Sequence, residues 1–168
     1  MMSEENVIEV GTTGKKAFIR IKGRGDFINS QPLKEFIQGM INNDLSDILV
    51  DLKECKTMDS TFMGVLAGTA LELKNKYNKT LTLFNVEEHN IELLTTLGIH
   101  MFVNMLPGDS TEQPNEYKSL KTSSANKKQM TEEMLQAHST LMEISEENRV
   151  KFKDVYEYLK DELRKNRD

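Results

Sequence analysis

The sequence is poor in the residues that build most chemical sites. It has no tryptophan, one cysteine, three prolines and three histidines. A lone cysteine, Cys55, excludes an internal disulfide and any multi-thiolate metal site. It fits a reducing cytoplasm, where the chain is expected to reside. His89, His100 and His138 are scattered rather than spaced as a metal pair, so zinc is not expected. They read as surface or structural residues. No stretch approaches the roughly 20 apolar residues that span a bilayer. The polar, acidic first six residues lead into no apolar run, so no secretory signal is expected. Charges of both signs are interspersed, with a net charge of −5 and no basic block. Nucleic acid and anionic membranes need clustered Lys and Arg and are not expected partners. Gly64-x-x-x-Gly68 lacks the Gly-Lys-Ser/Thr ending of a phosphate loop. No Gly-x-Ser-x-Gly elbow is present either. With no nucleophile–base or acid–base pair to name, the chain is expected not to be an enzyme, and no cofactor of its own is expected.

What is present is an alternation of short strand-like and helix-like segments. Residues 7–10 read as a strand ended by Gly11-Thr12-Thr13-Gly14. Ala17, Ile19 and Ile21 alternate with Phe18 and Arg20, which suits a second strand. Gly23-Arg24-Gly25-Asp26 reads as the turn that breaks it. Leu33, Phe36, Ile37, Met40 and Ile41 lie on one face of a helix. Ser30 is its start signal and Pro32 sits in its first turn. Residues 48–52 form an apolar run that suits a buried central strand. A second helix, about 61–77, follows Asp59-Ser60. Its small face of Gly64, Ala67 and Gly68 is expected to lie close to the sheet. Residues 81–85 form another strand. Asn85 with Glu88 resembles a helix start, Gly98 is placed to end that helix, and residues 101–106 form a last strand. The order β-β-α-β-α-β-α-β gives an α/β layered domain with parallel later strands.

Apolar residues make up 38% of the chain and charged ones 29%, which leaves room for one domain and an appendage. Residues 1–106 form the expected domain. Residues 107–128, rich in Pro, Gly, Ser, Thr, Asn and Lys, read as a linker. Residues 129–166 read as a helical extension, either a hairpin or one bent helix. Met130, Met134, Ala137 and Leu141 form one stripe, and Phe152, Val155, Leu159 and Leu163 another. The Met-rich stripe, with Met142, is adaptable binding surface or packs on its own domain or on a second copy, as in a homodimer.

The chemically informative segment is Met58-Asp59-Ser60-Thr61-Phe62-Met63-Gly64. A hydroxyl lies where a loop enters a helix, a position accessible to a kinase. A phosphate there would meet free backbone N–H groups and the positive end of the helix dipole. The adjacent Asp59 would oppose it. From the residues alone, Ser60 reads as a simple N-cap, and Asp59 could cap as well. Cys55, just before the loop, reads as a buried small apolar residue.

This segment resembles the STAS family of bacterial anti-sigma-factor antagonists, in which a buried strand leads to Met-Asp-Ser-Ser/Thr and then a Gly-Leu-Gly-like helix start. Gly23-Arg24-Gly25-Asp26 is similar to the family's Gly-x-x-Asp turn, and Leu97-Gly98-Ile99 to the end of its third helix. The resemblance implies a STAS-like mixed sheet with helices, to which the C-terminal helical extension is added. It also implies phosphorylation at Ser60, with Asp26, Asp59, Thr61 and Phe62 as site neighbours. The partners it implies are an anti-sigma factor or a histidine-kinase-fold serine kinase, and a metal-dependent serine phosphatase. ATP and metal belong to those partners. Phe62 departs from the pattern by replacing the first glycine, and a ring on the rim of the site is expected to alter partner fit. The rival expectation is a non-phosphorylated scaffold or oligomerisation module that uses the C-terminal helices.

Overall fold

The structure is a computed structural model and describes residues 6–121 and 125–165. The first residues of the expected domain, part of the expected linker and residue 166 of the extension lie outside these. The elements in chain order are β1 (Val7–Thr13), β2 (Lys16–Gly25), α1 (Phe27–Asn42), β3 (Asp47–Asp51), β4 (Cys55–Met58), α2 (Ser60–Tyr77), β5 (Leu81–Phe84), α3 (Glu88–Thr96), a single 3₁₀ turn (Ile99–Met101), β6 (Val103–Met105), β7 (Lys118–Ser119), α4 (Lys127–Ile144) and α5 (Glu146–Lys165).

The sheet is mixed, with the order β6-β5-β3-β2-β1-β7. Strands β2, β3, β5 and β6 run parallel, as helical crossovers require. The two edge pairings, β1 with β2 and β1 with β7, are antiparallel. Register explains the core. Ala17, Ile48 and Leu81 fall in one row, and Ile19, Val50 and Leu83 in the next. All are buried, and they share one cluster with Leu33 and Ile37 of α1 and Leu66 and Leu73 of α2. Alternation puts Phe18 and Arg20 on the opposite face.

Strand β2 is longer than the sequence suggests. Gly23-Arg24-Gly25 does not end it. The strand passes an irregularity between Gly23 and Arg24, where Gly23 takes φ 82°, and then pairs in parallel with β4. Glycine is at ease at that φ. Thus one edge of β2 carries β3 along its first half and β4 beyond it. Strand β1 likewise extends through Thr13, beyond the expected four residues.

Three further expectations are corrected. Helix α1 starts three residues before Ser30, with Asp26 as N-cap in a reciprocal box with Asn29. Ser30 is buried inside the helix, its hydroxyl donating to the Asp26 carbonyl at 2.6 Å. Asn85 does not cap α3. It takes φ 54° and its amide donates to Asp51 and Asp109. Part of the stretch read as linker is structured: β7 pairs with β1, the Leu120 amide donates to the Ile8 carbonyl at 2.8 Å, and Arg20 stacks 3.9 Å over the Tyr117 ring.

The extension folds as a hairpin, and it returns to the domain. Ser145 breaks the helix in extended backbone, and its hydroxyl accepts from the Asn148 amide. Asn148 is fully buried and donates to the carbonyls of Leu97 and Leu141, tying the hairpin base to the end of α3. Of the expected α5 stripe, Phe152 and Leu159 are buried, while Val155 is exposed.

Phe62 is the clearest correction. The ring is not on a rim: it is fully buried in the core. It fits because residue 25 has no side chain. A Cβ built on Gly25 would lie 2.5 Å from the ring. Burying such a ring stabilises the fold by about 1.5–3 kcal/mol. Gly25→Ala should therefore cost about 1–3 kcal/mol through overpacking, read as a lower urea midpoint. Phe62→Leu should relieve part of that loss in the double variant; purely additive losses would refute the pairing.

Candidate functional site

The site is built where two helices begin side by side. The parallel pairing of β2 with β4 ends at Gly25 opposite Met58. One more ladder bond follows, from the Asp59 amide to the Gly25 carbonyl at 2.8 Å. Both strands then turn directly into helices, β2 into α1 and β4 into α2. Their N-caps are Asp26 and Asp59. Asp59 serves both helices. One oxygen accepts from the Phe62 amide of its own helix at 2.9 Å, and the other from the Phe27 amide of α1 at 2.9 Å.

This carboxylate sits under opposing influences. Burial raises its pKa above the ordinary value. The amides of Phe62 and Phe27 pull it back down, Asp26 adds to the rise, and Arg24 opposes it. Asp26 is itself buried and accepts from the amides of Ile28 and Asn29. Cys55, at the start of β4, is buried, and its thiol is pushed up to about 11 by desolvation, which makes it a poor nucleophile.

Because Asp59 is the cap, Ser60 is not. Ser60 occupies the first position of α2, half-buried. Its Oγ lies 2.9 Å from Nε2 of His138 on α4. The other ring nitrogen, Nδ1, lies 2.6 Å from the Met134 carbonyl. A carbonyl can only accept, so Nδ1 carries the hydrogen. In the neutral ring Nε2 then accepts from the Ser60 hydroxyl. Phe152 of α5 meets the imidazole edge-on at 5.2 Å. His138 is 3% exposed, so the pair reads as a bond holding the hairpin to the domain. Thr61, the other hydroxyl, is buried. Phe27 and Ile28, beside the site at the start of α1, are left exposed.

The structure thus gathers Asp26, Asp59, Ser60 and the Phe62 amide at one place. It adds His138, which spacing from Ser60 could not reveal because 78 residues separate the two. One signal was available: Met134, Ala137, His138 and Leu141 recur at i, i+3, i+4 and i+7, which puts the imidazole on the inward stripe. The small face of α2 also differs from expectation. It receives α4 rather than the sheet: a Cβ on Gly64 would lie 2.6 Å from the Ala137 carbonyl oxygen, and Gly68 faces Thr140. Among the described residues no group of three or more His, Cys, Asp or Glu is placed to hold a metal. None of the described helices is long and apolar enough to cross a membrane.

A family model described as "Mlab, STAS domain" matches residues 8–107. The chain belongs to the STAS domain family. A curated relative, the anti-sigma-B factor antagonist of Staphylococcus aureus (strain NCTC 8325 / PS 47), is 28% identical over 105 residues, covering 62% of this chain and 96% of the relative. The same figures hold for the protein of that name in strain COL. Among solved structures, a putative anti-sigma factor antagonist from Thermotoga maritima matches with a TM-score of 0.54 and 14% identity, over 61% of this chain and 86% of that one. The anti-sigma factor antagonist SpoIIAA in its unphosphorylated form matches with a TM-score of 0.50 and 19% identity, over 62% and 89%. At these identities the two structures speak for the fold. The STAS match ends at residue 107, so the α4–α5 hairpin lies beyond it.

The raised pKa of Asp59 gives a signed pH prediction. Unfolded aspartate titrates near about 3.9, and the folded value lies above it. The folded chain therefore holds this proton more tightly. The resulting stability is fully present below the unfolded value and is lost as pH rises through the folded one. Asp59→Asn lacks the group and also loses one acceptor for the two amides at every pH. The stability of wild type minus that of the variant, from urea unfolding, should grow as pH falls through this window. A flat or shrinking difference would refute the assignment.

Proposed function

We propose that the chain is a regulatory binding protein of the anti-sigma-factor-antagonist type, switched by phosphorylation of Ser60 in a partner-switching cycle. It acts by binding rather than by catalysis. Unphosphorylated protein binds an anti-sigma factor or a related histidine-kinase-fold serine kinase. That kinase transfers a phosphoryl group from ATP to Ser60, and the complex separates. A metal-dependent serine phosphatase resets the cycle, which runs in the cytoplasm.

The observation that carries this reading is the division of labour between Asp59 and Ser60. The cap bond is made by the aspartate, so the serine hydroxyl is not needed to start the helix. A phosphate at the first position of α2 gains from the helix dipole and the first-turn amides. It also brings a charge of about −1.5 to −2 next to the carboxylates of Asp59 and Asp26. The first effect holds the phosphate in place, and the second changes the surface a partner meets. The relatives named as anti-sigma-B factor antagonists support the same class of partner.

A constitutive scaffold is the second reading. It draws on Val150, Val155 and Tyr158, apolar side chains of α5 left in solvent. Sedimentation of Val150→Asp beside wild type tests it, and a dimer lost only in the variant would favour it.

The deciding measurement for the switch is phosphosite mapping on protein isolated from the cells that make it, under growth and stress. The expected result is one phosphate on Ser60 that varies with condition and is absent from Ser60→Ala. Equal phosphate in wild type and Ser60→Ala would overturn the switch.

A further inference from the structure

The α4–α5 hairpin lies on the helix that carries the switch residue. Two contacts hold it against α2 beside Ser60, and a third ties it to the neighbouring α1. His138 accepts the Ser60 hydroxyl, with its tautomer set by the Met134 carbonyl. The backbone of α4 passes so close to α2 at Gly64 that a Cβ there would meet both the carbonyl oxygen and the Cβ of Ala137, at 2.6 and 2.7 Å. Lys34 of α1 pairs with Glu133 of α4 at 2.8 Å. The first two contacts lie one turn apart along α2, so the hairpin covers Ser60 and the face running back from it.

The cover rests on fewer buried apolar side chains than the domain does. Among the described residues, the hairpin contributes four buried apolar side chains, Ala137, Leu141, Phe152 and Leu159. Leu141 and Phe152 belong to the core cluster, and Met142 and Ile144 are partly buried against it. The polar part of the attachment is a serine–histidine bond, one part-buried ion pair and the Asn148 bonds at its base. An element with few buried apolar contacts opens at a lower free energy than the sheet core.

We propose that the α4–α5 hairpin is an intramolecular lid: it shields Ser60 and the adjacent face of α2, and it must undock before an enzyme or a protein partner reaches them. The lid and a partner compete for the same face of α2. As a control on phosphorylation, the lid rests on the function proposed above. As a cover over α2, it does not.

The cover can be tested with a reagent that needs no kinase. Ser60→Cys places a thiol at the covered position, and its rate of reaction with a maleimide reports access. The unsubstituted protein reports the background from buried Cys55. Ala137→Leu, on the hairpin, has no room against Gly64 and should wedge α4 away while leaving the domain surface intact. His138→Ala is the milder second variant, for use if the first fails to fold by circular dichroism. Adding either change to Ser60→Cys should accelerate labelling, by about tenfold or more for the wedge, as expected for a locally opened segment. Hydrogen exchange in α4 should rise in parallel. Unchanged labelling in both variants would overturn the lid.

Phosphate occupancy at Ser60 in the native cells separates this inference from the function it builds on. Higher occupancy in Ala137→Leu than in wild type supports both. Faster labelling with no phosphate in any variant supports the cover and overturns the phosphorylation reading. Equal phosphate with equal labelling overturns the lid and leaves phosphorylation standing.

Discussion

The carboxylate of Asp59 is the bond on which this site depends. Its two oxygens accept from two helices, one amide each, so α1 and α2 start at a fixed separation. That clasp is possible because β2 runs past β3 and pairs with β4, which brings the exits of both strands together at Gly25 and Met58. Phe62 then drops into the space above Gly25. Sheet pairing, helix capping and core packing meet within a few residues. Desolvation makes the ionised clasp costly, as the raised pKa of Asp59 records. What the cost secures is a serine at a helix N-terminus whose hydroxyl has no structural duty to that helix.

Much of this was legible in the sequence because it is local. Apolar alternation marked β2 and β5, a helical stripe marked α1, and Met58-Asp59-Ser60 marked the junction itself. The misses share a physical cause. Strand β4 has two polar residues, Lys56 and Thr57, at its centre and β7 is only two residues long, so neither shows an apolar pattern. The extent of β2 through Gly23 and Gly25 was hidden because glycine signals a turn, whereas here one glycine relieves an irregular ladder and the other admits a ring. Phe62 looked like an intruder at a rim because a one-dimensional motif does not show which way a helix's first turn faces. Segment 107–121 looked like linker by composition, yet a single aromatic, Tyr117 under Arg20, helps seat it.

The packing of α4 on α2 was the least legible contact. Helix α2 is size-graded: Phe62, Leu66 and Leu73 are buried in the sheet-side core, and Gly64 and Gly68 face outward to α4. The small face reads in sequence as a means of approaching the sheet, because nothing local says which layer a glycine serves. The distinction follows from what each side must bury. The sheet needs large side chains to fill its core, whereas a helix laid across another gains most by bringing backbones close. His138 is the polar member of that second interface, and it meets the hydroxyl that the Asp59 cap leaves unused. A neutral hydroxyl suits this position: it donates one bond to Nε2 and adds no charge beside Asp59 and Asp26. A phosphoryl group would need the space the imidazole fills and would bring negative charge against both carboxylates. The hydroxyl that the Asp59 cap leaves unused is therefore the one the hairpin holds, and under the proposed phosphorylation the two occupancies of that hydroxyl would oppose each other.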